Sequence, residues 1–161
     1  MTEHAMETSY VGRESEFQQV SKLLGGQRVL KHRLARELDA HELILQGIPG
    51  AALLHLIGQL TALDKSAAFE SAVGMSIRTL QRRKSAPANP LNMDQSARTW
   101  KFAQILTRAT SVFGSQEEAE QWMLRPATGL DQHKPIDLLA TPAGVGLVED
   151  FLERLEHGVY V

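Results

Sequence analysis

Apolar positions along this chain recur at spacings of three and four, the period of helices, and no stretch keeps the alternation of a half-buried strand. Between Glu14 and Leu24, the residues Phe17, Val20, Leu23 and Leu24 share one side of a helix that Gly25-Gly26 ends. Residues 28–46 set Val29, Leu30, Leu34, Leu38, Leu43 and Leu45 on a broad apolar side and stop at Gly47 and Pro49. A strongly apolar helix over about 49–60 follows, with the proline in its first turn. Asp64 is the expected N-cap of a short helix at 65–73, which runs into Gly74; after a three-residue turn Ser76 opens the next. Asn92 with Gln95 is a capping-box pattern for a long helix at 93–113, with Phe102, Ile105, Leu106, Ala109 and Phe113 inside. Ser115 with Glu118 repeats it for a helix ending near Leu124, and Pro126 to Pro135 reads as a loop around Gly129. A last helix at about 142–156 is expected to bury Leu147, Val148, Phe151, Leu152 and Leu155 before Gly158 ends it. The fold class expected is all-α.

The stretch APANP at 86–90 divides the chain, because its prolines stop helices and stiffen the connection. The expected organisation is a disordered polar tail at 1–12, a first helical domain at 13–90 and a second helical domain at 91–161. Four apolar-faced segments in so small a second unit leave surface to cover, which suggests a homodimer with shared helices.

Charge sharpens this picture. The 161 residues carry a net charge of −2, yet residues 76–110 hold seven Lys/Arg against one Asp, and residues 116–161 hold nine Asp/Glu against three Lys/Arg. A concentrated basic stretch on a weakly acidic body is the signature of a nucleic-acid face. It coincides with a helix-turn-helix pattern at 65–84, whose second helix would enter the major groove. Ile77 and Leu80 would anchor that helix. Ser76 would cap it, its free amides near a phosphate, and Arg78, Thr79, Gln81 and Arg82 are candidates for contact with DNA. Arg78 lies near the leading end and suits guanine, Gln81 suits adenine, and Arg83, Lys84, Arg98 and Lys101 suit phosphates. A run of cations is often only a solvated face, but this one has no acid at i±4 to balance it. In the acidic second half, Glu149, Asp150, Glu153 and Glu156 lie opposite the apolar side of the last helix. DNA would be repelled there; the face suits a basic protein surface and, equally, plain solvation.

Other chemistries find little support. Cysteine is absent, which excludes disulfides and thiolate metal sites and agrees with a reducing compartment. The histidines have no metal-ligand spacing, no serine sits in a nucleophile elbow, and neither glycine-rich triplet follows a strand. The expectation is no enzyme, no catalytic residue, no metal and no cofactor. No apolar run approaches membrane-spanning length and the first ten residues are not a secretory signal, so a cytoplasmic protein is expected.

Two blocks then raise the specificity. GMSIRTLQRRK, followed by the Leu91 to Arg98 element, resembles the first signature of the Xre/MbcA/ParS-type antitoxins, an Xre-like helix-turn-helix. The segment AEQWMLRPATGLDQHKPIDLLATPAGVGLVEDFLERLEHGVY resembles their C-terminal toxin-binding domain. Trp122, Pro126, Pro135, Asp137, Leu138, Leu139, Thr141, Gly144, Arg154, Glu156 and Gly158 match its pattern, whereas Ala127 and Asp131-Gln132 depart from it. The resemblance covers about residues 45–161. It implies an antitoxin that neutralises a RES-domain toxin, one that degrades NAD or transfers ADP-ribose, and that represses its own operon as a dimer on double-stranded operator DNA. It also implies that Glu149, Asp150, Glu153, Arg154, Glu156, His157, Tyr160 and Val161 face the toxin, near its active-site entrance. A stand-alone helix-turn-helix regulator with an acidic oligomerisation domain is the alternative, and an all-α adaptor without a nucleic-acid role the third reading.

Overall fold

The computed structural model describes residues 16–82, residue 86 and residues 89–158. The expected tail at 1–12, residues 87–88 of the APANP stretch, and Arg83, Lys84, Tyr160 and Val161 lie outside the described residues. Within them the protein is all-α: α1 at 16–23, α2 (Gly26–Leu30), α3 (Glu37–Gln46), α4 (Gly50–Gln59), α5 (Ala67–Val73), α6 (Ile77–Arg82), α7 (Met93–Phe113), α8 (Gln116–Met123), α9 (Pro135–Leu138) and α10 (Pro142–Glu156). Short 3-10 turns stand at Leu63–Lys65 and Thr128–Leu130. Extended pairing among the described residues is confined to two isolated bridges, Pro49 with Pro90 and Ala127 with His133.

The long helix α7 organises the rest. Its capping box is reciprocal: Asn92 Oδ1 accepts from the Gln95 amide at 2.8 Å, and Gln95 Oε1 accepts from the Asn92 amide at 3.1 Å. Gly114, at φ 93°, ends it in the left-handed region. Its face of Phe102, Ala103, Ile105, Leu106 and Ala109 is buried, and α3, α5, α8 and α10 all pack on it. The Phe69 ring of α5 meets Phe102 edge-on at 5.1 Å between centroids. Trp122 of α8 lies between Phe113 and Phe151, at 4.9 and 6.0 Å, tying α7, α8 and α10 together. One continuous core thus runs from Val20 to Leu152. The inference that the second half needs a partner copy to cover its apolar faces therefore loses its basis, because α3 and α5 of the first half cover α7.

Several expectations are corrected. The run 28–46 is two helices, since Lys31 at φ 55° ends α2 and Asp39 Oδ2, accepting from the amides of Ala35 and Arg36 at 2.9 Å, starts α3. Those two bonds outweigh the opposing effect of burial and, with the nearby Arg36 cation, lower the Asp39 carboxyl from its ordinary value. Leu38, Leu45 and Leu147 are exposed rather than buried. In α10 it is Val148 and Leu152 that point to the core, and Leu147 lies off that stripe. Asp64 sits inside a 3-10 turn, and α5 is capped by Ser66, which accepts from the Ala68 amide at 3.3 Å. The periodicity also missed α9, four residues with Pro135 at the first position.

Glu120 of α8 is fully buried. Its carboxylate accepts the backbone amides of Thr61, Ala62 and Leu63 at 3.0 Å, the Thr61 hydroxyl at 2.9 Å and Gln116 Nε2 at 2.9 Å. Burial pushes its carboxyl upward, but the bonds from Gln116, Ala62, Leu63 and Thr61 outweigh this and hold it below the ordinary 4.5. It thereby pins α8 to the chain between α4 and α5.

Candidate nucleic-acid interface and partner face

The helix-turn-helix is built by α5, a tight turn and α6. Gly74 adopts φ 73°, a left-handed conformation that suits glycine, and lets the chain reverse. The Glu70 carbonyl accepts from the amides of Gly74 at 2.9 Å and Met75 at 3.2 Å, while its side-chain Oε1 accepts from the Ile77 amide at 3.0 Å. Glu70 therefore ends one helix and starts the next, a role the sequence reading did not give it. Ser76 Oγ accepts from the Thr79 amide at 3.0 Å, and its hydroxyl donates to Thr79 Oγ1 at 2.6 Å. The amides of Ile77 and Thr79 are thus occupied within the protein. Met75 and Leu80 are buried against the core, with Ile77 partly so.

That anchoring turns the other side of α6 outward. Arg78, Thr79, Gln81 and Arg82 are all exposed on one short helix, and Ser76 is half-buried at its start. Arg98 and Lys101 are placed differently. Arg98 Nε donates to Asp94 Oδ2 at 3.0 Å, and its Nη1 donates to the carbonyls of Ser71 at 3.2 Å and Ala140 at 2.8 Å. Lys101 Nζ donates to Gln104 Oε1 at 3.0 Å and lies 3.4 Å from Glu149 Oε2. The structure brings the four α6 residues together and directs these two α7 cations at the protein's own acceptors.

The acidic helix α10 divides likewise. Thr141 caps it by accepting from the Gly144 amide at 3.0 Å, and Gly144 is required there, because a Cβ would run into the Leu138 carbonyl. Glu149 and Glu156 lean back onto Arg108 of α7, at 3.9 and 3.8 Å. Glu16 of α1 lies in the same charged group. Burial raises its carboxyl, against the pull of Arg108. Asp150, Glu153 and His157 are exposed, and with the half-buried Arg154 they line a shallow hollow of about 380 Å³. Arg154 stands 5.7 Å from the Phe151 ring centre and its Nε has no hydrogen-bond partner. His157 Nδ1 donates to the Glu153 carbonyl at 2.8 Å. Among the described residues no group of three or more His, Cys, Asp or Glu is arranged to hold a metal ion, and no helix is long and apolar enough to cross a membrane.

An exposed basic helix seated by a glycine turn on an all-α body defines a helix-turn-helix protein. Two family models match the chain and meet inside α7: the antitoxin Xre-like helix-turn-helix domain over residues 39–104, and the antitoxin Xre/MbcA/ParS C-terminal toxin-binding domain over residues 108–158. The chain belongs to the Xre/MbcA/ParS antitoxin family. It is similar to the antitoxin Xre of Photorhabdus laumondii, 34% identical over 87 residues, which are 53% of this chain and 58% of that protein. The antitoxin Xre of Yersinia enterocolitica is 34% identical over 90 residues, covering 55% and 60%. That of Pseudomonas putida is 28% identical over 127 residues, covering 78% and 76%. The chain thus spans less than two thirds of the first two relatives' length. Neither family model describes a catalytic domain.

Proposed function

We propose that the chain is the antitoxin of a type II toxin–antitoxin pair, which neutralises a RES-domain toxin by direct binding and represses its own operon. The observation that carries this reading is the joining, in one packed body, of an outward basic helix α6 to an α10 that exposes Asp150, Glu153 and His157 beside the half-buried Arg154. Arg78, Thr79, Gln81 and Arg82 meet the operator's major groove, with Arg78 on guanine, and Ser76 sets the helix start. Arg83 and Lys84 follow directly and would meet phosphates. Asp150, Glu153, Arg154 and His157 of α10 hold the toxin, and Tyr160 and Val161, which follow in the sequence, add to that contact. Glu149 and Glu156 act by fixing α10 on α7 through Arg108. Acidic groups suit a cleft that must attract an anionic dinucleotide. On a palindromic operator the protein would act as a homodimer.

The test is purification of the chain with a co-expressed RES-domain protein, followed by NAD loss with and without the chain. A complex with suppressed NAD loss supports the proposal. A protein that shifts its promoter DNA yet captures no toxin is a stand-alone regulator.

A further inference from the structure

Arg98 is a basic residue of the operator-binding stretch whose side chain is turned inward. Its side chain is 29% exposed, against the outward Arg78 and Arg82, and its donors meet acceptors from three places in the chain. Asp94 lies on its own helix one turn back, the Ser71 carbonyl lies in the last turn of α5, and the Ala140 carbonyl lies between α9 and α10. The last four carbonyls of a helix have no partner inside it, and a cation beside them is favoured by the helix dipole. One guanidinium therefore joins α5 to the start of the toxin-binding half, with α7 as its base.

The bonds sit directly beneath the recognition turn. Gly74 lies so close that a Cβ there would come within 3.0 Å of Arg98 Cδ, and Gln95 Nε2 of the same helix turn donates to the Gly74 carbonyl at 3.4 Å. Helix α6 has only six residues, too few to hold a direction by itself. Its orientation comes from Leu80 and Ile77 packed on the core together with the turn, and that turn is held from below by Arg98 and Gln95.

Building on the DNA-binding reading, we infer that Arg98 is a positioning residue for operator recognition, which sets the recognition helix through the Ser71–Gly74 turn and does not clamp a phosphate. Lysine cannot replace it, because an ammonium on a flexible stem lacks the planar fork that serves Asp94 and two carbonyls together.

Arg98→Lys and Arg98→Met separate the two roles. Operator affinity is measured by fluorescence anisotropy over a range of salt concentrations, and backbone amide exchange is measured on the free proteins. Positioning predicts that both variants weaken the cognate operator by roughly tenfold at fixed salt, the equivalent of one net hydrogen bond. The dependence of affinity on salt stays that of the parent. A phosphate clamp predicts near-normal binding for Arg98→Lys, and for Arg98→Met a salt slope lower by about one ion. Either of those results, or unchanged affinity in both variants, overturns the inference. Amides of Gly74, Met75, Ile77 and Thr79 should exchange faster in both variants, while those of Ile105 and Leu106 in α7 keep their protection, which separates a loosened turn from general unfolding. If the parent protein binds no promoter DNA, the functional reading fails. The exchange result still judges the inference, and unchanged exchange at the turn overturns it.

Discussion

Replacing Glu120 with glutamine should destabilise this protein although it leaves the side chain's size unchanged. In Glu120→Gln the side chain keeps its shape, but one oxygen becomes an NH2 group. The amide oxygen is best kept at the Oε1 position, where the Thr61, Ala62 and Leu63 amides donate; the NH2 then stands at the Oε2 position, where the Thr61 hydroxyl can turn to accept but the Thr61 amide and Gln116 Nε2 remain donors facing it. Each buried donor left without a partner costs about 1–3 kcal/mol. For a chain of this length that corresponds to a fall in melting temperature of roughly 2–12 °C. Urea unfolding followed by helical circular dichroism measures it directly.

The pH dependence gives a second readout with a definite sign. Glu120's folded-state pKa is lowered, so its contribution is fully present above the unfolded value of 4.5 and fades as pH falls through the folded one. The stability gap between the parent and Glu120→Gln should therefore be widest at neutral pH and narrow in acid. A gap below about 1 kcal/mol at neutral pH, or one that stays constant into acid, would refute this account of how α8 is held.

Other predictions concern the two faces and the spine. Arg78→Ala should weaken the cognate operator by about 1–3 kcal/mol and leave random DNA nearly unaffected, as read by competition titration; equal losses would move Arg78 to the phosphates. Gly144→Ala should destabilise by about 1–3 kcal/mol, because the new methyl meets the Leu138 backbone; a neutral outcome in thermal melts would contradict that close approach. Reversing both Asp150 and Glu153 to lysine should weaken toxin capture at least tenfold in pull-down titrations without changing operator affinity. Deleting residues 157–161 should reduce toxin inhibition while operator binding is kept. Unchanged inhibition would assign the block to the body of α10.

Much of the fold was legible because its elements carry their own punctuation. The α7 start is the one that Asn92 with Gln95 announces, and α10 spans the expected 142–156, although its Thr141 cap went unread in the sequence. The recognition helix was legible for the same reason: Gly74 and Ser76 mark its turn, and the anchors Leu80, buried, and Ile77, half-buried, leave Arg78 and Arg82 outside; the buried Met75 was not foreseen. What periodicity cannot show is which partner a polar residue finds across the fold. Glu120 reaches a segment nearly sixty residues away, and Arg98 reaches one carbonyl in α5 and another between α9 and α10. Glu70 is closer in sequence, yet only the bend at Gly74 brings its carboxylate to the Ile77 amide. Glu149 and Glu156 look like free surface acids until Arg108 is placed opposite them. Leu38 and Leu45 err the other way, their apolar chemistry implying a burial that α3's orientation does not provide.

The measurement closest to the central claim is co-expression with the product of the adjoining gene, followed by solution mass and NAD loss with and without this chain. The account predicts a stable complex in which NAD loss is suppressed and which Asp150/Glu153 reversal disrupts. A chain that remains alone, leaves NAD loss unaltered and still binds its promoter would contradict it.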